Sequence, residues 1–157
     1  MQLSLYVGNK NYSSWSMRPW VLMRQFGIDF TEKPVRFDSF EADSDFKRTV
    51  LALNPAGKVP VLVDHEVSGG LVIWDTLAIC EYLAERFPDL QLWPSDVAAR
   101  ARARSVCAEM HAGFGSLRKH FPMNIEAVLP EVGALVLRDR PEVQDDLDRI
   151  VGMWTEL

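Results

Sequence analysis

"QLSLYVGNKNYSSWSMRPWVLMRQFG", residues 2–27, changes its hydrophobic period half-way along. Residues 2–7 alternate polar and apolar side chains, the two-residue repeat of a half-buried strand. Gly8 ends that run, and residues 9–11 form a loop. From Ser16 onward, Met17, Trp20, Val21, Met23 and Phe26 follow helical spacing, and Gly27 stands where a glycine closes a helix. Pro19 suits that helix only in its first turn, where a missing N–H is no loss. This places the helix start near Trp15 to Met17, with Ser13 and Ser14 just before it or at it. Two readings of these serines follow. Their hydroxyls cap the helix, or they are aimed at a ligand bound at its N-terminus.

The same reading extends outward. "DFTEKPVRF" (29–37) reads as a second strand, and Pro34 marks it as an edge. "DSDFKRTVLALN" (43–54) reads as a helix capped by Asp43 or Ser44 and ended near Asn54-Pro55. "VPVLVD" and "LVIW" are short strands, and the Gly-Gly in the intervening "HEVSGG" makes them a hairpin. Asp75 caps a third helix in which Leu77, Cys80, Leu83, Ala84 and Phe87 keep helical spacing. The order over residues 1–87 is therefore β-α-β-α-β-β-α, with the first two strands parallel and the last two antiparallel.

Residues 88–95 form a linker, and the texture then changes. Residues 96–157 carry no strand signal. Residues 96–120 read as one long helix, weakened by Gly113 and Gly115. A further helix starts near Pro141, where Val143, Leu147, Ile150, Val151, Trp154 and Leu157 are spaced 4, 3, 1, 3 and 3 apart, a single apolar stripe. No stop signal follows, so the expectation is an all-α second domain that is incomplete.

Composition narrows the function classes. The chain has 157 residues, 48% hydrophobic and 25% charged, with a net charge of −5. That balance suits a globular protein and speaks against a nucleic-acid partner. Arg100, Arg102 and Arg104 alternate, which spreads them around a helix as a solvated surface. Cys80 and Cys107 are far apart and form no CxxC, so neither zinc nor dithiol chemistry is expected, and both read as core residues. No signal-like segment opens the sequence, and no run approaches about 18 apolar residues. A reducing, cytoplasmic setting is expected, with no membrane partner and no metal.

Three segments, "YSSWSMRPW", "NPAGKVPVLV" and "WDTLAICEYLAERFP", resemble in order and spacing the glutathione transferases, most of all the zeta-like, serine-type branch. The resemblance is strong over residues 1 to about 95 and continues as a helical tail. It implies a thioredoxin-like first domain followed by helices, glutathione as cosubstrate, and a homodimer.

The resemblance makes Ser13 the catalytic hydroxyl, with Ser14 beside it. A free thiol titrates near ~8.5. A hydroxyl donating to the sulfur anion contributes roughly 1.5–3 kcal/mol, and a helix N-terminus about 0.3–1 kcal/mol. Together these lower a bound thiol by about one to two units. Val59-Pro60 resembles the family's cis-proline step, where the backbone of Val59 pairs with the tripeptide as an added strand does. Lys58 matches a position facing the glycine carboxylate, or is a plain turn lysine. Asp75 and Thr76 replace the usual Glu-Ser. The Thr76 hydroxyl and N–H suit the γ-glutamyl carboxylate at a helix N-terminus; Asp75 holds the ammonium, caps the helix, or does both. Tyr12, Met110, His111 and Phe114, with His120, are candidates for the electrophile pocket. Trp15 stands where the zeta-like pattern has a cysteine, so the resemblance does not carry over the isomerase activity of that branch.

The leading expectation is a transferase that adds glutathione thiolate to a small hydrophobic electrophile. The alternative is a binding or interaction module of the same fold without turnover. A thiol-disulfide oxidoreductase is disfavoured, because serine forms no mixed disulfide.

Overall fold

The computed structural model describes residues 2–156. It divides into two compact units, Met1–Ser95 and Asp96–Leu157. In the first, β1 (Leu3–Val7), α1 (Ser14–Gln25), β2 (Thr31–Pro34), α2 (Asp45–Leu51), β3 (Val61–Asp64), β4 (Leu71–Trp74) and α3 (Thr76–Arg86) follow in the expected order. A single 3-10 turn at Pro88–Leu90 lies in the segment expected as a linker, which belongs to the first unit.

Among the described residues the strands form one sheet in the order β2-β1-β3-β4. β1 and β2 are parallel, with Ser4 opposite Thr31. β3 is antiparallel to both β1 and β4. Pro34 sits on the outer strand, where its missing N–H interrupts no ladder. This is the thioredoxin-like arrangement, and a helical region follows it.

Strand alternation decides which helix covers which face. Leu3, Leu5 and Val7 point to one side, where they join Met23 of α1, Leu62 of β3, and Ile79 and Leu83 of α3 in a buried core. Tyr6 points to the other side and packs with Val35, Phe46 and Val50, so α2 covers that face. Helix α1 ends as its glycine predicts: Gly27 takes φ 65, and Ile28 N–H donates to the Met23 carbonyl at 2.9 Å. Helix α2 is capped by Ser44, which accepts from Lys47 N–H at 3.1 Å.

Helix α1 differs from expectation in one respect. It begins at Ser14, which places Pro19 inside the helix and beyond its first turn.

In the second unit the long helix expected over 96–120 is two helices, α4 (Val97–Ala112) and α5 (Gly115–His120). The break lies at Gly113, whose backbone is extended, and Phe114, at φ 61. A side chain at Gly113 would meet the Glu109 carbonyl oxygen at 2.9 Å. Arg118 turns back to close the open end of α4, its Nε donating to the Gly113 carbonyl at 3.0 Å and its other nitrogen to that of Met110. α6 (Pro130–Asp139), absent from the sequence reading, precedes α7 (Pro141–Thr155). In α7, Val143 and Met153 are buried, whereas Val151 and Trp154 of the expected stripe are each 64% exposed. α7 closes at Thr155, and Leu157 lies outside the described residues. Cys80 and Cys107 are half-buried rather than core.

A polar lock joins β3 to α3. Asp64, 1% exposed, accepts from the Tyr82 hydroxyl at 2.7 Å and from Arg86 Nε at 3.4 Å. Burial opposes its charge, but Tyr82, the Glu66 amide and Arg86 together hold the carboxyl below its ordinary value. Burial and the neighbouring carboxylate push the Tyr82 hydroxyl up to about 12. An acid whose folded pKa is depressed stabilises the fold above its ordinary value of 3.8 and loses that contribution as pH falls through the folded one. Asp64→Asn is therefore expected to lower stability to urea at pH 7 by about 1–3 kcal/mol. The gap between the two chains should narrow under acid; a gap that is constant from neutral to acid pH contradicts this account.

Candidate functional site

The N-terminus of α1 is built by the loop after β1. Tyr12 and Ser13 N–H both donate to the Asn9 carbonyl, at 3.2 and 2.8 Å, and Met17 N–H donates to the Ser13 carbonyl at 3.1 Å. Ser13 is thus the N-cap by position, yet its side chain makes no capping bond. Its hydroxyl, in a residue 8% exposed, donates instead to Ser16 Oγ at 2.9 Å. Ser16, fully buried, accepts in turn from Gly8 N–H at 3.1 Å. A hydroxyl chain therefore runs from a fixed amide at the end of β1 to the side chain of residue 13.

Beside it lies an open cleft of about 630 Å³. Of the residues singled out from sequence, Tyr12, Ser13, Ser14, Lys58 and Val59 line it together. The Val59-Pro60 bond is cis, and Pro60 leads directly into β3. Lys47 and an aromatic wall also line the cleft, and the sequence reading missed both. Lys47 Nζ donates to the Gly57 carbonyl at 3.0 Å, which ties α2 to the loop carrying Lys58. The wall is Phe37, Phe40 and Phe46, whose ring centroids are 4.9 to 5.5 Å apart. Tyr12 joins it at 5.8 Å from Phe37. These spacings suit tilted and edge-on aromatic pairs. Phe37, expected as the end of the second strand, lies beyond β2, which stops at Pro34, and Phe40 follows in the same irregular segment.

Asp75 and Thr76 form the start of α3 rather than the wall of the cleft. Asp75 caps the helix, accepting from Leu77 N–H at 2.9 Å, so the capping role assigned to it is present. Its φ of 75 is a left-handed value that costs a non-glycine residue energy and is held only by its surroundings. Thr76, 2% exposed, donates its hydroxyl to the Trp15 carbonyl at 3.3 Å. That bond joins the first turns of α1 and α3, and helix N-termini carry partial positive charge. With Lys47 and Lys58, they make this end of the first unit a place for anions, in a chain of net charge −5.

The remaining candidates lie in the second unit. Met110 and His111 close α4, and both are half-buried. Phe114 is 6% exposed and sits in the corner between α4 and α5, where it packs as core. His120 ends α5. Among the described residues no group of His, Cys, Asp and Glu is placed to hold a metal ion.

The family described as Glutathione S-transferase, N-terminal domain matches residues 12–86. The first unit is a glutathione S-transferase N-terminal domain. The match lies within the unit that carries the cleft, the cis Val59-Pro60 bond and the four-stranded sheet. The chain is 36% identical over 113 residues to the probable maleylacetoacetate isomerase of Caenorhabditis elegans, covering 72% of this chain and 48% of that protein. It is 38% identical over 100 residues to glutathione S-transferase 1 of Dianthus caryophyllus, covering 64% of this chain and 41% of that one. The chain thus spans about half the length of these curated relatives. Among solved structures, a glutathione transferase homolog from Sulfitobacter with bound glutathione shares the fold, with a TM-score of 0.67 and 20% identity, over 96% of this chain and 68% of that one.

In this transferase domain the aromatic wall depends on a glycine. A Cβ on Gly8 would lie 2.2 Å from Phe37 Cζ, so only glycine admits the ring there. Gly8→Ala is expected to displace Phe37 and to cost about 1–3 kcal/mol of stability, the usual effect of overpacking. Urea unfolding with the aromatic region of the proton spectrum checks both; an unmoved Phe37 with unchanged stability contradicts the prediction.

Proposed function

We propose that the chain binds glutathione in the cleft of its first unit and ionises the thiol for attack on a small hydrophobic electrophile. The observation that carries this reading is the hydroxyl chain from Gly8 N–H through Ser16 to Ser13, ending at the N-terminus of α1 beside the cleft. Hydroxyl protons rotate to suit their partners. When a sulfur anion lies over Ser13, Ser16 donates to Ser13 and Ser13 donates to sulfur. The amide at the far end keeps the whole chain polarised in that direction. Ser13 keeps its own proton throughout. The thiolate then forms a carbon–sulfur bond, and the leaving group departs with the electron pair of the bond it breaks.

The other roles follow from placement. Ser14 is a second hydroxyl on the same rim. The backbone of Val59, ahead of Pro60, pairs with the cysteinyl residue as an added strand does. Lys58, with Lys47, faces the glycine carboxylate. The γ-glutamyl end lies at the start of α3, its carboxylate toward Thr76 and its ammonium toward Asp75. Tyr12 and the phenylalanine wall offer an apolar surface to the electrophile. No metal takes part in this scheme. Relatives named maleylacetoacetate isomerase do not extend the proposal to that reaction, because Trp15 occupies the position of the zeta-like cysteine.

The test is the titration of bound thiol, followed by its ultraviolet absorbance, with turnover of chlorodinitrobenzene measured alongside. Ser13→Ala is expected to raise the thiol pKa by about one unit and to reduce conjugation at neutral pH roughly tenfold or more, with glutathione retained. Ser14→Ala is expected to change the thiol less. An unaltered chain that binds glutathione but never ionises it would leave the non-catalytic binding module as the better reading. Absence of glutathione binding overturns both.

The reading includes a homodimer in a reducing, cytoplasmic setting. Exposed apolar side chains of the second unit, Val132 on α6 with Val151 and Trp154 on α7, support self-association. Among the described residues no helix is long and apolar enough to cross a membrane. Sedimentation is expected to show a dimer at micromolar concentration, and Trp154→Glu to weaken it; a monomer at all concentrations contradicts the dimer.

A further inference from the structure

Inside an α-helix each carbonyl accepts from the N–H four residues on. The Trp15 carbonyl of α1 falls due to residue 19, and residue 19 is a proline, which has no N–H to give. The donor the structure supplies comes from another element. Thr76 Oγ1, at the start of α3 and 2% exposed, donates to that carbonyl at 3.3 Å. A hydroxyl has one proton, so this bond also takes from the Thr76 side chain the donor a ligand carboxylate would need.

We propose that Thr76 is a positioning residue. Its hydroxyl replaces the hydrogen bond that Pro19 denies α1, and so fixes the first turn of α1, with Ser13 and Ser14, against the N-terminus of α3. This deepens the glutathione reading above and rests on it for its functional part. Thr76 then meets the γ-glutamyl carboxylate through its main-chain N–H, while its side chain faces the protein. Asp75 completes the arrangement from the other side of the turn, accepting from Leu77 N–H at 2.9 Å while its own backbone is held at φ 75.

The pairing of a proline with a hydroxyl from a different helix permits a test that a simple packing role does not. Pro19→Ala restores an N–H that can reach the Trp15 carbonyl within the helix. The effect of removing the Thr76 hydroxyl should therefore depend on residue 19. Four chains of full length are compared: the unaltered one, T76V, P19A, and the double variant, with T76S as the conservative control. With Pro19 in place, T76V is expected to weaken glutathione binding about tenfold, the factor that one hydrogen bond of ordinary strength carries. It is also expected to raise the apparent pKa of the bound thiol, because Ser13 is no longer held in place. T76S is expected to restore both. In the P19A background the same substitution should change each quantity by no more than about a third of that factor.

Equal effects of T76V in the two backgrounds overturn the proposal. So does a T76V chain that loses stability while its thiol titration stays where it was, since that is what packing alone predicts. A T76V chain that does not fold still decides the matter: refolding when P19A is added supports the bridge, and failure to refold refutes it. If the unaltered chain does not bind glutathione, the functional reading falls separately. The bridge is then decided by whether unfolding midpoints of the four chains are additive.

Discussion

The Trp15 carbonyl sits four residues before a proline, so the residue that would ordinarily serve it within the helix has no N–H. The Thr76 hydroxyl meets it at 3.3 Å, and in doing so brings the first turns of α1 and α3 together. Each helix start is a cluster of amide N–H groups with partial positive charge. One helix start attracts an anion weakly; two held side by side, with Lys47 and Lys58 on the nearby rim, do so from several directions. The strained backbone of Asp75 belongs to the same constraint. The chain has to leave β4 at Trp74 and begin α3 at Thr76, and a single residue at φ 75 makes that turn.

The sheet explains why the cleft lies where it does. β1 is buried on both faces, with Leu3, Leu5 and Val7 toward α1 and α3 and Tyr6 toward α2. Its continuation, Gly8 to Ser13, passes beyond the sheet before α1 begins. Gly8 lacks a side chain, so Phe37 packs directly over its Cα, and Phe40 and Phe46 extend the wall. One loop therefore does two things. Its backbone supplies the fixed amide for the hydroxyl chain, and its missing Cβ admits the aromatic wall. The polar and apolar sides of the cleft are set by the same residues.

Much of the first unit was legible in the sequence because its signals are local. Alternation marked β1, the Gly-Gly turn marked the hairpin, Pro34 marked an edge, and Asp75 marked the cap of α3. The serine pair was legible as a position but not as a role, since a capping serine and a hydroxyl in a chain look alike in sequence. What was lost depended on contacts far apart in the chain. Thr76 lies 61 residues from Trp15, and nothing in either neighbourhood states that they meet. Pro19 gave the warning, but it was read as a limit on where the helix starts rather than as a carbonyl needing a distant donor. The second unit failed for a different reason. Gly113 read as a weakness in one helix, when with Phe114, a left-handed residue that is not glycine, it ends one helix and opens the next. α6 was hidden because Pro130 alone does not distinguish a helix start from a loop.

Under the proposed function, the hydroxyl chain gives the serine at residue 13 a fixed polarity. Its anchor is the Gly8 amide, a group that can only donate. With that end fixed, Ser16 Oγ always has one acceptor site filled, and its own proton is available to a neighbour. Ser13 at 2.9 Å is the neighbour in reach. Without a ligand the shared bond runs from Ser13 to Ser16, and the rim presents an oxygen. When an anion approaches, reversing two hydroxyl rotors presents a proton instead, with no movement of the backbone. A thiol at residue 13 would not serve in the same way. It is a weak donor, and it would bring redox chemistry to a site whose electrostatics are arranged to hold a charge. In the proposed scheme the serine offers a proton to sulfur without reacting with it, and the amide behind it keeps that proton pointed outward.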